Sequence, residues 1–145
     1  MKKLIVCPKK TGNTYNVCNY VSDNSDIELM TVNRTTDIDL KEYDTIILSS
    51  GVYANHVHIN ILRWIENIQT DKIESNTKIY IFLTWFGRGK SDKSAIKEVK
   101  DLLEKKGLKL EDKYCACYGK GMGVIRSSHP DEKDKENILS WAKML

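Results

Sequence analysis

The chain is poor in proline, with two among its 145 residues, and it has no low-complexity segment or internal repeat. These absences disfavour a disordered chain and a repeat solenoid. No apolar run approaches the roughly 20 residues that a membrane-spanning helix needs, so no membrane association is expected. The 41% hydrophobic and 30% charged shares are ordinary for a globular protein. We therefore expect residues 1–145 to form one domain whose core needs no disulfide or metal.

Signals for export are weak at the N-terminus. The opening residues MKKLIVCPKK combine charges with an apolar run, but residues 4–7 are too short for the core of a signal peptide. No small-residue cleavage site follows, so the run predicts a strand in a cytoplasmic protein. The cysteines lack the C-x-x-C spacing of a zinc site and suit buried positions in a reducing compartment. They are Cys7, Cys18, Cys115 and Cys117.

Motifs for catalysis, metal binding and nucleic-acid binding are missing as well. No serine or cysteine has an adjacent base, and His56, His58 and His129 show no metal-ligand spacing. The net charge of +3 is too small, and the lysines are too dispersed, to predict a nucleic-acid surface. This pattern favours a protein whose chemistry belongs to a bound cofactor.

Short apolar runs rich in isoleucine and aromatic residues predict strands that are covered on both faces. Four such runs are clear, at residues 3–7, 45–50, 78–84 and 113–118, and a weaker fifth lies at 26–32. Four helices are predicted from apolar residues at i, i+3, i+4 and i+7. Their stripes are Thr14, Val17, Cys18 and Val21, then Ile61, Leu62, Ile65 and Ile68, then Ile96, Val99, Leu102 and Leu103, and finally Ile138, Trp141, Ala142 and Leu145.

Alternating strands and helices predict an α/β fold with a five-stranded parallel sheet and helices on both faces. Gly107 is placed to end the third helix, and Pro130 to occupy the first turn of the last. Ligands of such sheets bind beyond the carboxyl ends of the strands. Four irregular segments are therefore expected to meet at one edge, namely 8–14, 51–58, 85–93 and 119–129.

The first of these segments has the chemistry of an anion site. Thr11, Gly12, Asn13 and Thr14 stand between the first strand and the first helix. Glycine permits close approach, a helix start offers unpaired N–H groups, and hydroxyl and amide groups add donors. The spacing is neither that of a Walker loop nor that of G-x-G-x-x-G. An ordinary strand-to-helix turn capped by Asn13 is the alternative.

The strands and the loops that follow them, taken in their order along the chain, resemble those of the flavodoxin family over nearly the full length. The family's phosphate loop has the pattern S/T-x-T-G-x-T. Residues 9–14, KKTGNT, match this pattern from Thr11 to Thr14 but differ from it at the first position, where Lys9 replaces a serine or threonine. A lysine there can meet a phosphate as a point charge or point outward. TIILSSGVYANH, FLTWFGRGKSD and YCACYGKG resemble the later strands with their loops. The resemblance implies a three-layer flavodoxin-like sandwich that binds FMN.

The resemblance also implies which residues contact the flavin. Tyr53 is expected to stack on one face of the ring and either Trp85 or Phe86 on the other, with Trp85 slightly preferred. Gly87 and Gly89 would free backbone groups for the flavin edge, or only permit a tight turn. The cofactor-binding set is Lys9, Lys10, Thr11, Gly12, Asn13, Thr14, Ser50, Gly51, Val52, Tyr53, Thr84, Trp85, Phe86, Gly87 and Gly89.

Basic residues fall at this edge, where the family commonly has acidic ones. A positive rim would attract redox partners with acidic surfaces, or its side chains are merely solvated. These residues are Lys9, Lys10, Arg88, Lys90, Lys120 and Arg126.

Three functions agree with the sequence. The first is an FMN-binding electron carrier between a reductase and an acceptor enzyme. The second is a small FMN-dependent reductase that acts on a quinone or another small acceptor. The third, which Lys9 favours, is a flavodoxin-like binding module without FMN.

Overall fold

The computed structural model describes residues 2–85, 90–118 and 130–145, in which strands and helices alternate along the chain. The strands are β1 (Lys3–Cys7), β2 (Glu28–Thr31), β3 (Thr45–Tyr53), β4 (His56–Val57), β5 (Lys78–Trp85) and β6 (Leu110–Tyr118). The helices are α1 (Gly12–Asp23), α2 (Ile59–Glu66), α3 (Ser91–Lys105) and α4 (Glu132–Met144), with a short 3₁₀ helix at Thr70–Lys72.

The predicted α/β fold is confirmed. Five strands form a parallel sheet in the order β2-β1-β3-β5-β6. Ile5 of β1 lies opposite Leu29 of β2 and Ile47 of β3. The sixth strand, β4, was not predicted, and it pairs antiparallel with the end of β3. The sequence therefore predicts the sheet but misses a hairpin at its carboxyl edge.

The end of β3 differs from the prediction. Gly51, Val52 and Tyr53 were expected to begin a loop, but they continue the strand. Gly51 still pairs with Thr84 of β5, while Val52 and Tyr53 pair with β4. Pairing with β5 and then with β4 gives the backbone groups of this segment ladder partners, which is why it stays extended.

Two other strands differ in length from their predictions. β2 is shorter than residues 26–32 because it lies at the sheet edge with β1 as its ladder partner. β6 begins at Leu110 and not at residue 113, since Leu110 already pairs with Ile79. A register shift between Ile79 and Ile81 breaks the alternation of β6, which hid its first residues from the sequence pattern.

The predicted helices all form, with small changes at their ends. The four stripe residues of α1 are buried. α2 ends at Glu66, so Ile68 lies beyond it, although it is buried. Asp131 caps α4 by accepting the Asp134 N–H, and Pro130 therefore precedes the cap instead of occupying the first turn. No helix within the described ranges is both long and apolar enough to cross a membrane.

Helices cover both faces of the sheet, as predicted. α2 and α3 contact each other on one face, and α1 and α4 do so on the other. Leu4 and Val6 of β1 belong to one apolar cluster, and Ile5 and Cys7 belong to the other. Burying each large aliphatic side chain contributes about 1.5–3 kcal/mol. The two clusters thus hold the sheet, and with it the edge from which the loops emerge.

Candidate functional site

The chain direction across the sheet reverses beside β1. From β1 the chain crosses to β2 on one side and later to β3 on the other. The carboxyl ends of β1 and β3 therefore bound a crevice, the position at which open parallel sheets bind ligands. Residues 8–11 leave β1 at this crevice. The end of β3, the turn at Ala54 and Asn55, and β4 form a hairpin beside it.

The start of α1 is a cradle suited to an anion. Thr11 is the N-cap, with extended angles of φ −148° and ψ 160°, and its side chain makes no capping hydrogen bond. Gly12 follows with φ +93°, which a residue with a Cβ atom rarely adopts. No acidic side chain stands in the first turn, so none offsets the positive helix end. The cap is Thr11 and not Asn13, contrary to the alternative interpretation of this turn.

Lys9 folds back over this cradle. A Cβ atom placed on Gly12 would lie 3.5 Å from Lys9 Cε and 3.8 Å from Lys9 Nζ. Partial burial and the nearby Lys9 charge lower the pKa of His58. The ammonium therefore sits between the α1 N-terminus and the hairpin, and both Lys9 and its neighbour Lys10 are exposed.

Thr14 and Thr84 share a hydrogen bond inside the protein. Their Oγ1 atoms lie 2.9 Å apart, and both side chains are buried. Thr14 belongs to the first turn of α1 and Thr84 to the end of β5, so the bond ties the cradle to the sheet. The Thr14 hydroxyl expected to meet a phosphate thus has a protein partner, and its contact with a ligand stays a prediction.

Two side chains that sequence reasoning missed hold the backbone of residues 8–11. Asn60 Nδ2 of α2 donates to the Pro8 carbonyl at 2.9 Å. The Cys7 thiol donates to the Lys9 carbonyl at 3.1 Å. Asn60 and Pro8 are 52 residues apart, so no local motif signals this contact. The loop is therefore fixed by the protein itself, as a preorganised binding site requires.

The hairpin presents an aromatic ring beside the cradle. Ala54 and Asn55 have positive φ values of 49° and 70°, which suit a two-residue hairpin turn. A Cβ atom on Gly51 would lie 2.9 Å from Tyr53 Oη, so the tyrosine ring lies directly over Gly51. The ring meets His58 edge-to-face with the ring centroids 5.6 Å apart, and Tyr53 as a whole residue is 47% exposed. Gly51 is thus the platform that lets Tyr53 lie along the strand.

Ser50 holds the chain where it leaves β4 of the hairpin. Its Oγ accepts the His58 N–H at 2.8 Å and donates to the Gly51 carbonyl at 2.6 Å. Val52 pairs with Val57 across the hairpin. Ser50 and Val52 therefore hold the backbone around Tyr53 in place. Among the predicted residues 50–53, only Tyr53 presents a large exposed side chain.

The second predicted flavin segment is described only at its first residue. Trp85 ends β5, is partly buried and pairs with Tyr118 of β6. Phe86, Gly87 and Gly89 lie outside the described residues, as do Arg88, Lys120 and Arg126. Whether Trp85 or Phe86 covers the second face of a flavin stays open.

A cleft of about 550 Å³ adjoins the hairpin, between α2 and α3. Tyr53, Val57, Ile59 and Leu62 give it a mainly apolar wall, which Lys9 and Glu98 also line. This volume is in the range of small-ligand sites. Aromatic and apolar surface and a cationic anion cradle therefore lie side by side at one edge of the sheet.

The four cysteines are free thiols and form no disulfide. Cys18 Sγ lies 3.1 Å from Ser49 Oγ, which donates to the Val6 carbonyl at 2.6 Å. Burial raises the pKa of Cys117 to about 12. Within the described ranges no group of histidine, cysteine and acidic side chains is arranged to hold a metal ion.

Residues 4–144 match the model of the flavodoxin domain family. The chain belongs to this family, which confirms the resemblance seen in its sequence. An uncharacterized protein of Methanocaldococcus jannaschii is 25% identical to it over 139 residues, covering 92% of this chain and 89% of the other.

Solved structures share the fold at low sequence identity. Oxidised flavodoxin 2 of Bacillus cereus superimposes with a TM-score of 0.66 at 19% identity, over 99% of this chain and 96% of the other. A flavoprotein of Lactobacillus acidophilus, solved in complex with FMN, does so with a TM-score of 0.61 at 16% identity, over 81% and 93%. At these identities the likeness shows the fold.

Proposed function

We propose that the protein binds FMN at the carboxyl edge of its sheet and carries electrons between a reductase and an acceptor enzyme. The observation that carries this proposal is the pairing of two features at one crevice. One is the uncapped, acid-free start of α1 under Lys9. The other is the half-exposed ring of Tyr53 on the adjoining strand. FMN joins an anionic phosphate to a large planar ring, and these features match its two ends.

The phosphate would be held by Thr11, Gly12 and Asn13, with Lys9 as a point charge. The Thr11 hydroxyl makes no capping hydrogen bond, and Gly12 admits the close approach of an anion. Lys10 adds a second exposed cation. Such donors bind a phosphate without a metal ion.

The ring would lie against Tyr53, whose position is fixed by the Gly51 platform and by the Ser50 hydrogen bonds. Bound FMN supplies one- and two-electron chemistry. The protein's contribution is to bind and orient the ring and to shield one of its faces from water.

A carrier role is favoured by the side chains around the crevice. Ser50 and Asn60 hydrogen-bond to backbone atoms here, and Thr14 and Thr84 to each other, so these polar groups hold the fold of the site. Lys9, Lys10 and Lys90 are exposed. Exposed cations of this kind favour encounter with redox partners that have acidic surfaces.

The test is electron transfer by the FMN-loaded protein, with cytochrome c as acceptor and an NADPH-dependent flavodoxin reductase as donor. Reduction of cytochrome c is expected only when both proteins are present, because the carrier itself has no role in oxidising NADPH. Rapid NADPH oxidation by this protein and a quinone alone would contradict a carrier and support the small reductase. Failure to retain FMN would reject both.

A further inference from the structure

A carboxylate on α3 holds the return strand of the hairpin. Glu98 Oε2 lies 2.7 Å from His56 Nδ1, and Glu98 Oε1 accepts the Val57 N–H at 3.1 Å. Both residues of β4 are therefore fixed by one side chain that comes from a separate helix. Nothing in the local sequence pairs these positions, since Val57 and Glu98 are 41 residues apart.

This contact matters because the ladder of β4 is short. The strand is two residues long, and its ladder partner is the end of β3. Without Glu98 the N–H of the buried Val57 would lose the acceptor that the structure gives it. Beyond the ladder, Val57 is buried in the apolar core, and the His58 N–H donates to Ser50 Oγ.

The held residues stand directly opposite the aromatic one. In the hairpin register Tyr53 faces His56, and Val52 faces Val57. The turn between them places two non-glycine residues, Ala54 and Asn55, in the left-handed region. Such a conformation persists only when its surroundings fix it. The position of the Tyr53 ring therefore depends on how firmly β4 is held.

We infer that Glu98 is a positioning residue for the flavin ring, acting through β4 to keep Tyr53 in its stacking place. This inference rests on the proposed function. The role inferred for Glu98 is indirect and is exerted through the backbone of β4. Glu98 joins α3 to the hairpin, so Tyr53 is already in position before the flavin binds. Binding then carries no entropic cost of ordering Tyr53.

The contact itself can be tested in protein without FMN, by hydrogen exchange of the Val57 amide. Glu98→Ala should speed this exchange about tenfold, because the amide loses its acceptor. Glu98→Gln should stay close to wild type, since its amide oxygen can still accept. Asp101→Ala is the matched control, because it removes an exposed ion pair with Lys97 on the same helix. Unchanged exchange in Glu98→Ala would overturn the inference.

The positioning role is tested by FMN titration in a double-mutant cycle with Tyr53→Ala. Glu98→Ala should weaken FMN binding about tenfold in the wild-type background and have little effect once Tyr53 is absent. An equal loss in both backgrounds would mean that Glu98 acts on general stability, and would overturn the inference. If the wild-type protein does not bind FMN, the proposed function fails and the positioning role fails with it. If wild type binds FMN but Glu98→Ala binds equally well, only the positioning role fails.

Discussion

The hydrogen bond between Thr14 and Thr84 makes a testable difference to stability. Thr14→Val leaves the buried Thr84 hydroxyl without this partner, and we expect a loss of about 1–3 kcal/mol in the free energy of unfolding. Adding Thr84→Val should cost less than its own single effect, because the double variant has no orphaned hydroxyl. Urea denaturation of the three variants measures this coupling. Strictly additive losses would contradict the assignment of this bond.

Tyr43 predicts how stability responds to alkali. It is almost fully buried and donates to the Glu28 carboxylate, and burial together with this carboxylate raises the pKa of Tyr43 well above its usual range. The unfolded chain releases this proton first, near pH 10, so the contribution of Tyr43 is present below that pH and is lost above it. We expect Tyr43→Phe to lose about 1 kcal/mol at neutral pH.

The same variant should then decline less steeply than wild type above pH 10, since it has one fewer tyrosine whose ionisation favours unfolding. Denaturation at a series of pH values between 8 and 11 (roughly the range over which free tyrosine titrates) makes the comparison. Parallel curves for the two proteins would show that Tyr43 does not titrate differently on folding.

The end of α3 shows how one glycine stops a helix. The Gly107 N–H bonds to the Glu104 carbonyl at 3.0 Å, and the Leu108 N–H bonds to the Leu103 carbonyl at 3.0 Å. This double pattern places Gly107 in the left-handed region, with φ +75°. The predicted stop at Gly107 is therefore confirmed.

Gly107→Ala isolates the backbone cost of that conformation, because no atom lies within 4 Å of the Cβ it would gain. We expect a loss of about 1 kcal/mol in the free energy of unfolding. Gly107→Asn should lose less, since asparagine tolerates the left-handed region better than alanine. Equal losses in the two variants, measured by chemical denaturation, would contradict this reason.

The elements with strong periodicity were predictable, and the hairpin was not. The α1 stripe repeats at the helical spacing and the buried strands are short continuous apolar runs, so local sequence contains the signal for both. β4 is too short to show any period, and its turn uses Ala54 and Asn55 instead of the glycine that marks such turns. The sequence pattern consequently placed Gly51 and Tyr53 in a loop.

The candidate site was predictable in its location but not in its internal contacts. The rule for parallel sheets places residues 8–14 and 51–58 at one edge, without any knowledge of side chains. The contacts of Asn60 with Pro8 and of Glu98 with Val57 join distant parts of the chain. They depend on how α2 and α3 pack on the sheet, which local sequence does not encode.

The molecule as a whole brings two kinds of surface together at that edge. The cradle at the start of α1 follows β1, and the Tyr53 hairpin follows β3, its direct neighbour in the sheet. Neither alone distinguishes FMN from other ligands, because a phosphate or an aromatic compound would satisfy one of them. Their proximity is what favours a ligand with both chemical groups.

The central claim is that the site binds both the ring and the phosphate of FMN. Paired titrations with FMN and riboflavin, followed by flavin fluorescence, test it most directly, since riboflavin has the same ring and no phosphate. We expect saturable quenching by the protein, with FMN bound at least about 100-fold more tightly, or about 2.7 kcal/mol. Thr11→Val with Lys9→Ala should narrow that difference while leaving riboflavin binding unchanged. Equal affinity for the two flavins, or no binding of either, would contradict a phosphate site at Thr11, Gly12 and Asn13.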